Sequence, residues 1–116
     1  MSRVKRGFKA RRRRKKILRS AKGFFLLRKN VFERAKEALL KAWTFSYRDR
    51  RAKKRNFRGL WITRISAACK LNSTSYSRFI KALKDANIDM DRKVLAEIAI
   101  RNPDDFAFLV KRVQKS

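Results

Sequence analysis

The chain is 116 residues long, with 35 Lys+Arg against 9 Asp+Glu and no histidine, a net charge of +26. Like charges on a compact body repel one another, so this imbalance calls for a polyanion: nucleic acid first, an anionic membrane second. The lack of histidine removes Ser-His-Asp and Cys-His nucleophiles and the common zinc sites, and three scattered glycines (Gly7, Gly23, Gly59) build no phosphate-cradling loop.

The charge is unevenly spread. Residues 1–58 carry 24 basic and 3 acidic residues, a net +21, while residues 59–116 carry 11 and 6, a net +5. The two halves are therefore read separately. Residues 1–22 hold 12 Lys/Arg and no acid. Such a segment has too little apolar surface to offset its chain entropy, and coil is expected for it in isolation. Its composition is shared with mitochondrial transit peptides, but the run Arg11–Lys16 is too dense for an amphipathic presequence, and no apolar stretch makes it a secretory signal. After Gly23 comes a short apolar knot, Phe24-Phe25-Leu26-Leu27.

From Val31 the pattern is helical: Val31, Ala35, Leu39 and Trp43 recur at every fourth position. Asn30 is the expected N-cap, with Glu33 completing a capping arrangement. No Gly or Pro interrupts residues 31–58, so the helix can run on through Arg48–Arg58, where seven of eleven residues are basic.

After Gly59 the composition turns globular. Leu60, Trp61, Ile65 and Ala68 form one helical face. Thr74 or Ser75 caps a second helix with Tyr76, Phe79, Ile80 and Leu83 on one side, ending near Asn87, a residue that tolerates the left-handed cap conformation. Asp91 starts a third helix, with Val94, Leu95, Ile98 and Ala99. In Asn102-Pro103-Asp104-Asp105 a cap, a first-turn proline and two acids facing the helix dipole set up a fourth, whose apolar face is Phe106, Leu109, Val110 and Val113. No segment reads as a strand. The expected fold is all-α, a long basic helical extension (1–58, coil then long helix) followed by a small four-helix globular domain (59–116). A domain of that size is marginal but can fold alone.

No enzyme emerges. Asp89 with Asp91 and Asp104 with Asp105 read as caps and dipole partners, and Cys69, among Ile65, Ala67 and Ala68, reads as a small core side chain in a reducing compartment. No apolar run approaches the ~18–20 residues that span a bilayer. No catalytic residue, cofactor, metal, membrane or small-molecule substrate is expected.

The binding chemistry lies in the basic residues. The candidates are Arg3, Lys5, Arg6, Lys9, Arg11, Arg12, Arg13, Arg14, Lys15, Lys16, Arg19, Lys22, Arg28 and Lys29 in the first stretch. Arg48, Arg50, Arg51, Lys53, Lys54, Arg55 and Arg58 make up the second, and Arg92 and Lys93 open the third helix. Arginine dominates the strongest runs, and its planar fork bridges two phosphate oxygens or stacks on an unpaired base. Interleaved aromatics (Phe8, Phe24, Phe25, Phe45, Tyr47, Phe57, Trp61) offer stacking surfaces. Trp43 and Trp61, on apolar helix faces, are expected to pack instead. Composition does not separate RNA from DNA: a basic DNA-binding or DNA-compacting protein has the same outline, with residues 75–86 and 92–101 as a helix-turn-helix. Against that stands Arg92–Ala99, which offers few polar side chains for base reading.

Specific stretches go further. Arg3-Val4-Lys5-Arg6-Gly7, the basic run through Lys16, Ala21-Lys22-Gly23-Phe24, Tyr47-Arg48-Asp49-Arg50-Arg51, Lys54-Arg55-Asn56-Phe57-Arg58, Leu60-Trp61-Ile62-Thr63-Arg64-Ile65, Tyr76-Ser77-Arg78-Phe79-Ile80 and Asp91-Arg92-Lys93-Val94-Leu95-Ala96 occur in one order over nearly the whole chain. In these the chain strongly resembles the bacterial and organellar large-subunit ribosomal protein family numbered twenty. The resemblance implies a helical extension threaded through large-subunit ribosomal RNA, a helical C-terminal domain docked on its surface, neighbouring ribosomal proteins as partners, and a role early in subunit assembly. It implies a location in the bacterial cytoplasm or in an organelle's matrix or stroma. In some members the C-terminal domain also represses translation of its own message. The sequence departs from the family's habit at Asn56, where an acid is common, and at Leu26-Leu27, where a small or flexible pair is.

Overall fold

The computed structural model describes residues 3–115. They form five α-helices: α1 (Gly7–Ser20), α2 (Phe32–Leu71), α3 (Tyr76–Asp85), α4 (Arg92–Arg101) and α5 (Pro103–Gln114), with a single 3-10 turn at Leu26–Arg28. There is no strand among the described residues. The fold is all-α with one long helix, as the sequence leads one to expect. Two compact units divide the chain, one up to Arg51 and one from Ala52 on, a division inside α2 and ahead of the composition change at Gly59.

In the first unit, where the sequence suggests coil, the structure has the helix α1. Ile17, Leu18 and Phe24 pack against Ala21, Ala35 and Leu39, which are buried, so α1 leans on the start of α2. That tertiary contact is what a window of charged residues cannot reveal. Gly23 makes the turn between them with φ +90, a conformation that costs a Cβ-bearing residue dearly, and the Phe24 N–H closes the turn on the Ala21 carbonyl at 3.1 Å. The start of α2 differs slightly from expectation. Its first helical residue is Phe32, the Val31 carbonyl accepts from the Ala35 N–H at 2.8 Å, and Asn30 lies in the preceding turn. The apolar stripe of α2 is also narrower than its spacing suggests, because Ala35 and Leu39 are buried while Val31 and Trp43 are exposed.

The second unit has one core. The end of α2 contributes Ile65, Ala68 and Cys69; α3 gives Phe79 and Leu83; α4 gives Leu95 and Ala96; α5 gives Phe106, Val110 and Val113. Phe79 and Phe106, both fully buried, meet at 5.2 Å between ring centroids and 50° between planes, a tilted pair that holds α5 on α3. Burying each such ring stabilises the fold by about 1.5–3 kcal/mol. The end of α2 with α3, α4 and α5 makes the expected four-helix globule, with two adjustments: Leu60 and Val94, assigned to apolar faces by spacing, are exposed.

The helix ends follow the sequence closely. The Ser75 hydroxyl accepts from the Arg78 N–H at 3.4 Å and caps α3. At its other end Asn87 takes φ 53, and its N–H and that of Ile88 reach back to the Lys84 and Leu83 carbonyls at 3.0 and 2.9 Å. Ser73 does the same for α2 at φ 57. Asp91 precedes α4, and Asn102 both ends α4 and precedes α5, whose first residue is Pro103. No polar or charged side chain is buried among the described residues.

Candidate nucleic-acid interface

Helical geometry decides how the first basic cluster is displayed. Six consecutive cations, Arg11 to Lys16, lie on α1, and successive residues of a helix step about 100° around its axis. Positive charge therefore surrounds that stretch on every side, and all six are exposed. Lys9 and Arg19 extend the charge along the same helix. Arg3, Lys5 and Arg6 are exposed in the segment leading into it; Lys22, Arg28 and Lys29 are exposed in the turns after it. On α2, Arg48, Arg50 and Arg51 in the first unit and Lys53, Lys54, Arg55 and Arg58 in the second are exposed as well. Lys93 is exposed on α4, whereas Arg92 is half-buried and its Nε donates to the Tyr76 hydroxyl at 2.9 Å.

Carboxylates take almost none of this charge. Of these candidates, Arg48 forms an ion pair, with its neighbour Asp49 at 3.0 Å. Two further ion pairs, Arg34 with Glu37 and Arg101 with Glu97, involve none of them. Exposed pairs of this kind are worth little in any case.

Five of the candidates lie over aromatic rings. The Arg12 guanidinium lies over Phe8 at 5.2 Å and Arg14 over Phe32 at 5.7 Å. Arg48 sits over Phe45 at 4.6 Å, Arg51 over Tyr47 at 4.7 Å, and the Lys53 ammonium over Phe57 at 5.8 Å. Arg51 also donates to the Tyr47 hydroxyl at 2.8 Å. Most of these pairs lie three or four residues apart, the spacing that brings side chains together on a helix. Held over a ring, a guanidinium keeps its full charge and its in-plane donors. Trp43 overturns its packing expectation, since it is 51 % exposed; Trp61 meets the same expectation by packing against the core of the second unit.

Two depressions bring in residues that sequence reasoning missed. In the first unit, Arg34 and Lys41 join Arg28 around a largely apolar cleft that includes Phe24, Phe25 and Phe45, with Glu37, the partner of Arg34, also in its lining. In the second, Arg64 of α2 and Arg101 of α4 lie with Lys93 around Trp61 and Ile100. The 3.6-residue spacing of α2 marks Arg64 as a neighbour of Trp61; its approach to α4 comes from packing alone.

A model of the family described as ribosomal protein L20 matches residues 3–109, a span that includes every basic candidate named above. The chain belongs to that family. Among its relatives, the large ribosomal subunit protein bL20 of Sorangium cellulosum is 56% identical over 111 residues, covering 96% of this chain and 93% of the relative. The protein of the same name from Pelobacter propionicus is 58% identical over 107 residues, covering 92% of each chain. The family match starts with Arg3 and so takes in the whole of α1, placing the basic segment inside the shared architecture. Among the described residues, no helix is long and apolar enough to cross a membrane and no cluster of His, Cys, Asp and Glu could hold a metal ion.

Proposed function

We propose that this protein is a structural constituent of the large ribosomal subunit that binds large-subunit ribosomal RNA directly and acts early in subunit assembly. Residues 1–58 form the RNA-binding extension and residues 59–116 the small globular domain. The observation that carries the reading is the exposed array of guanidinium and ammonium groups on α1 and α2, of which Arg48 has a carboxylate partner and a few, such as Arg12 and Arg51, lie over aromatic rings. Neutralising phosphates with such side chains releases condensed counterions and gives affinity that needs no base-reading element. Family membership supplies the partner class: ribosomal RNA and neighbouring ribosomal proteins, in the cytoplasm of a bacterium or the interior of an organelle. Nothing is chemically transformed in this role. Repression of its own message by the globular domain belongs to the same proposal, through an RNA that offers the ribosomal site's shape.

The test is sedimentation of a native lysate on a sucrose gradient, with and without a high-salt wash. The protein should travel with the large subunit and resist the wash. Migration with nucleoid DNA would make DNA compaction the correct reading.

A further inference from the structure

On α2 within the second unit, Lys53, Phe57 and Trp61 follow one another at four-residue spacing and so share one helix face. The Phe57 and Trp61 ring centroids are 6.3 Å apart with 31° between the planes, and the Lys53 ammonium lies 5.8 Å from the Phe57 centroid. Lys54, Arg55 and Arg58 complete a shallow cleft of about 470 Å³ around the two rings. No acidic residue lines the cleft, and the nearest acid in sequence, Asp49, pairs with Arg48 at 3.0 Å.

The two rings differ in their obligations. Trp61 packs against the core, while Phe57 remains 44 % exposed. A half-exposed aromatic ring beside four cations contributes little to folding. Its surroundings describe the ligand: a flat, apolar face to stack on it and anionic groups on either side for the cations. A nucleotide has both. An apolar protein side chain would bring no anion to offset the four positive charges. A base inside an A-form duplex has its faces covered by its neighbours, so the nucleotide must be unpaired. Lysine's flexible stem lets Lys53 leave the ring for a phosphate as a base arrives.

We infer that the Phe57–Trp61 face of α2 is a stacking site for an unpaired RNA nucleobase, with Phe57 as the stacking surface and Lys53, Lys54 and Arg58 meeting the flanking phosphates. This rests on the RNA-binding reading and adds to it a single-stranded element in the target.

The full-length Trp43→Phe protein keeps Trp61 as its single tryptophan, a reporter beside the site. It is titrated with a short single-stranded oligouridylate and, separately, with a blunt RNA duplex. Binding is followed by the anisotropy of labelled RNA and stacking by Trp61 fluorescence. Both RNAs should bind, and the single strand alone should quench Trp61. Adding Phe57→Leu, which keeps apolar bulk and removes the ring, should move the half-point of the quench to about tenfold higher oligonucleotide. Phe57→Tyr should restore it. Equal quenching by the duplex, binding of both RNAs without any quench, or a Phe57→Leu titration that overlays its parent would each overturn the stacking site and leave RNA binding standing. Failure of either RNA to bind at all would overturn the RNA-binding reading itself.

Discussion

The Arg92 guanidinium donates to the Tyr76 hydroxyl at 2.9 Å, tying the first residue of α4 to the first residue of α3. The bond joins residues sixteen apart and is partly shielded from water. Tyr76→Phe keeps the ring, which packs against the core, and removes the acceptor. Because the donor is charged and half-buried, stability should fall by about 1.5 kcal/mol. Urea unfolding would show this as a lower midpoint with an unchanged slope. An unchanged midpoint would mean that the bond is not formed in solution.

The run Arg11–Arg14 is exposed around α1. Replacing all four with Ala preserves helix propensity and removes four cations. If each engages a phosphate, the slope of log affinity against log salt should become shallower by about 3, at ~0.7–0.9 per contact. Filter binding to large-subunit RNA over a salt series measures it. An unaltered slope would show that these arginines stand clear of the RNA.

Every buried residue of the second unit's core lies beyond Gly59, from Ile65 to Val113. A fragment of residues 59–116 should therefore be helical by circular dichroism and melt cooperatively. Residues 1–58 retain only the small cluster of Ala21, Ala35 and Leu39 with its few neighbours, and should be largely coil until RNA is added. A sharp thermal transition in the free extension would contradict this.

Gly59 lies within α2 at a negative φ, and a Cβ placed there would meet no atom within 4 Å. Gly59→Ala should stabilise the protein by about 0.5–1 kcal/mol, since glycine carries an entropic cost in a helix interior. The unfolding midpoint reads this directly. Weaker RNA binding by the same variant would show that RNA approaches the backbone there.

Burial pushes the Cys69 thiol up from its usual 9.0 to about 11. The core holds the protonated form, so this contribution to stability is intact below pH 9 and is lost as the pH climbs through 11. Stability should decline across that window, and less steeply in Cys69→Ala measured side by side. A thiol reagent at neutral pH should label the protein only after unfolding. Rapid labelling of the native protein would show that the site opens.

The helices of the globular unit were legible because their punctuation is local. Ser75 caps α3 and Asn87 ends it, and Asp91 and Asn102-Pro103 stand at the helix starts where expected, although the Asp91 and Asn102 side chains make no capping hydrogen bond. The helix α1 was not legible, because its stability comes from Ile17 and Leu18 meeting Ala35 and Leu39, a contact set by the turn at Gly23. Trp43 misled for the reverse reason: its spacing suits a buried stripe, but the buried cluster of the first unit ends at Leu39, one turn earlier, and Trp43 is half-exposed. The basic candidates were found by density, and all are exposed except the half-buried Arg92, whose bond to Tyr76 no local pattern announces. The arginine–aromatic pairs could have been found from spacing, as with Phe8 and Arg12 or Tyr47 and Arg51, which stand four apart.

Asn102 serves as the last cap of α4 and the first of α5, so a single non-helical residue separates two helices that share a core. A corner this tight has no slack. Inserting one residue just after Pro103 would rotate the rest of α5 by about 100° and swing Phe106, Val110 and Val113 away from Phe79 and Leu95. The length of the chain at this corner is therefore tied to the packing of the core. The α4–α5 corner fixes reading frame as strictly as it fixes shape.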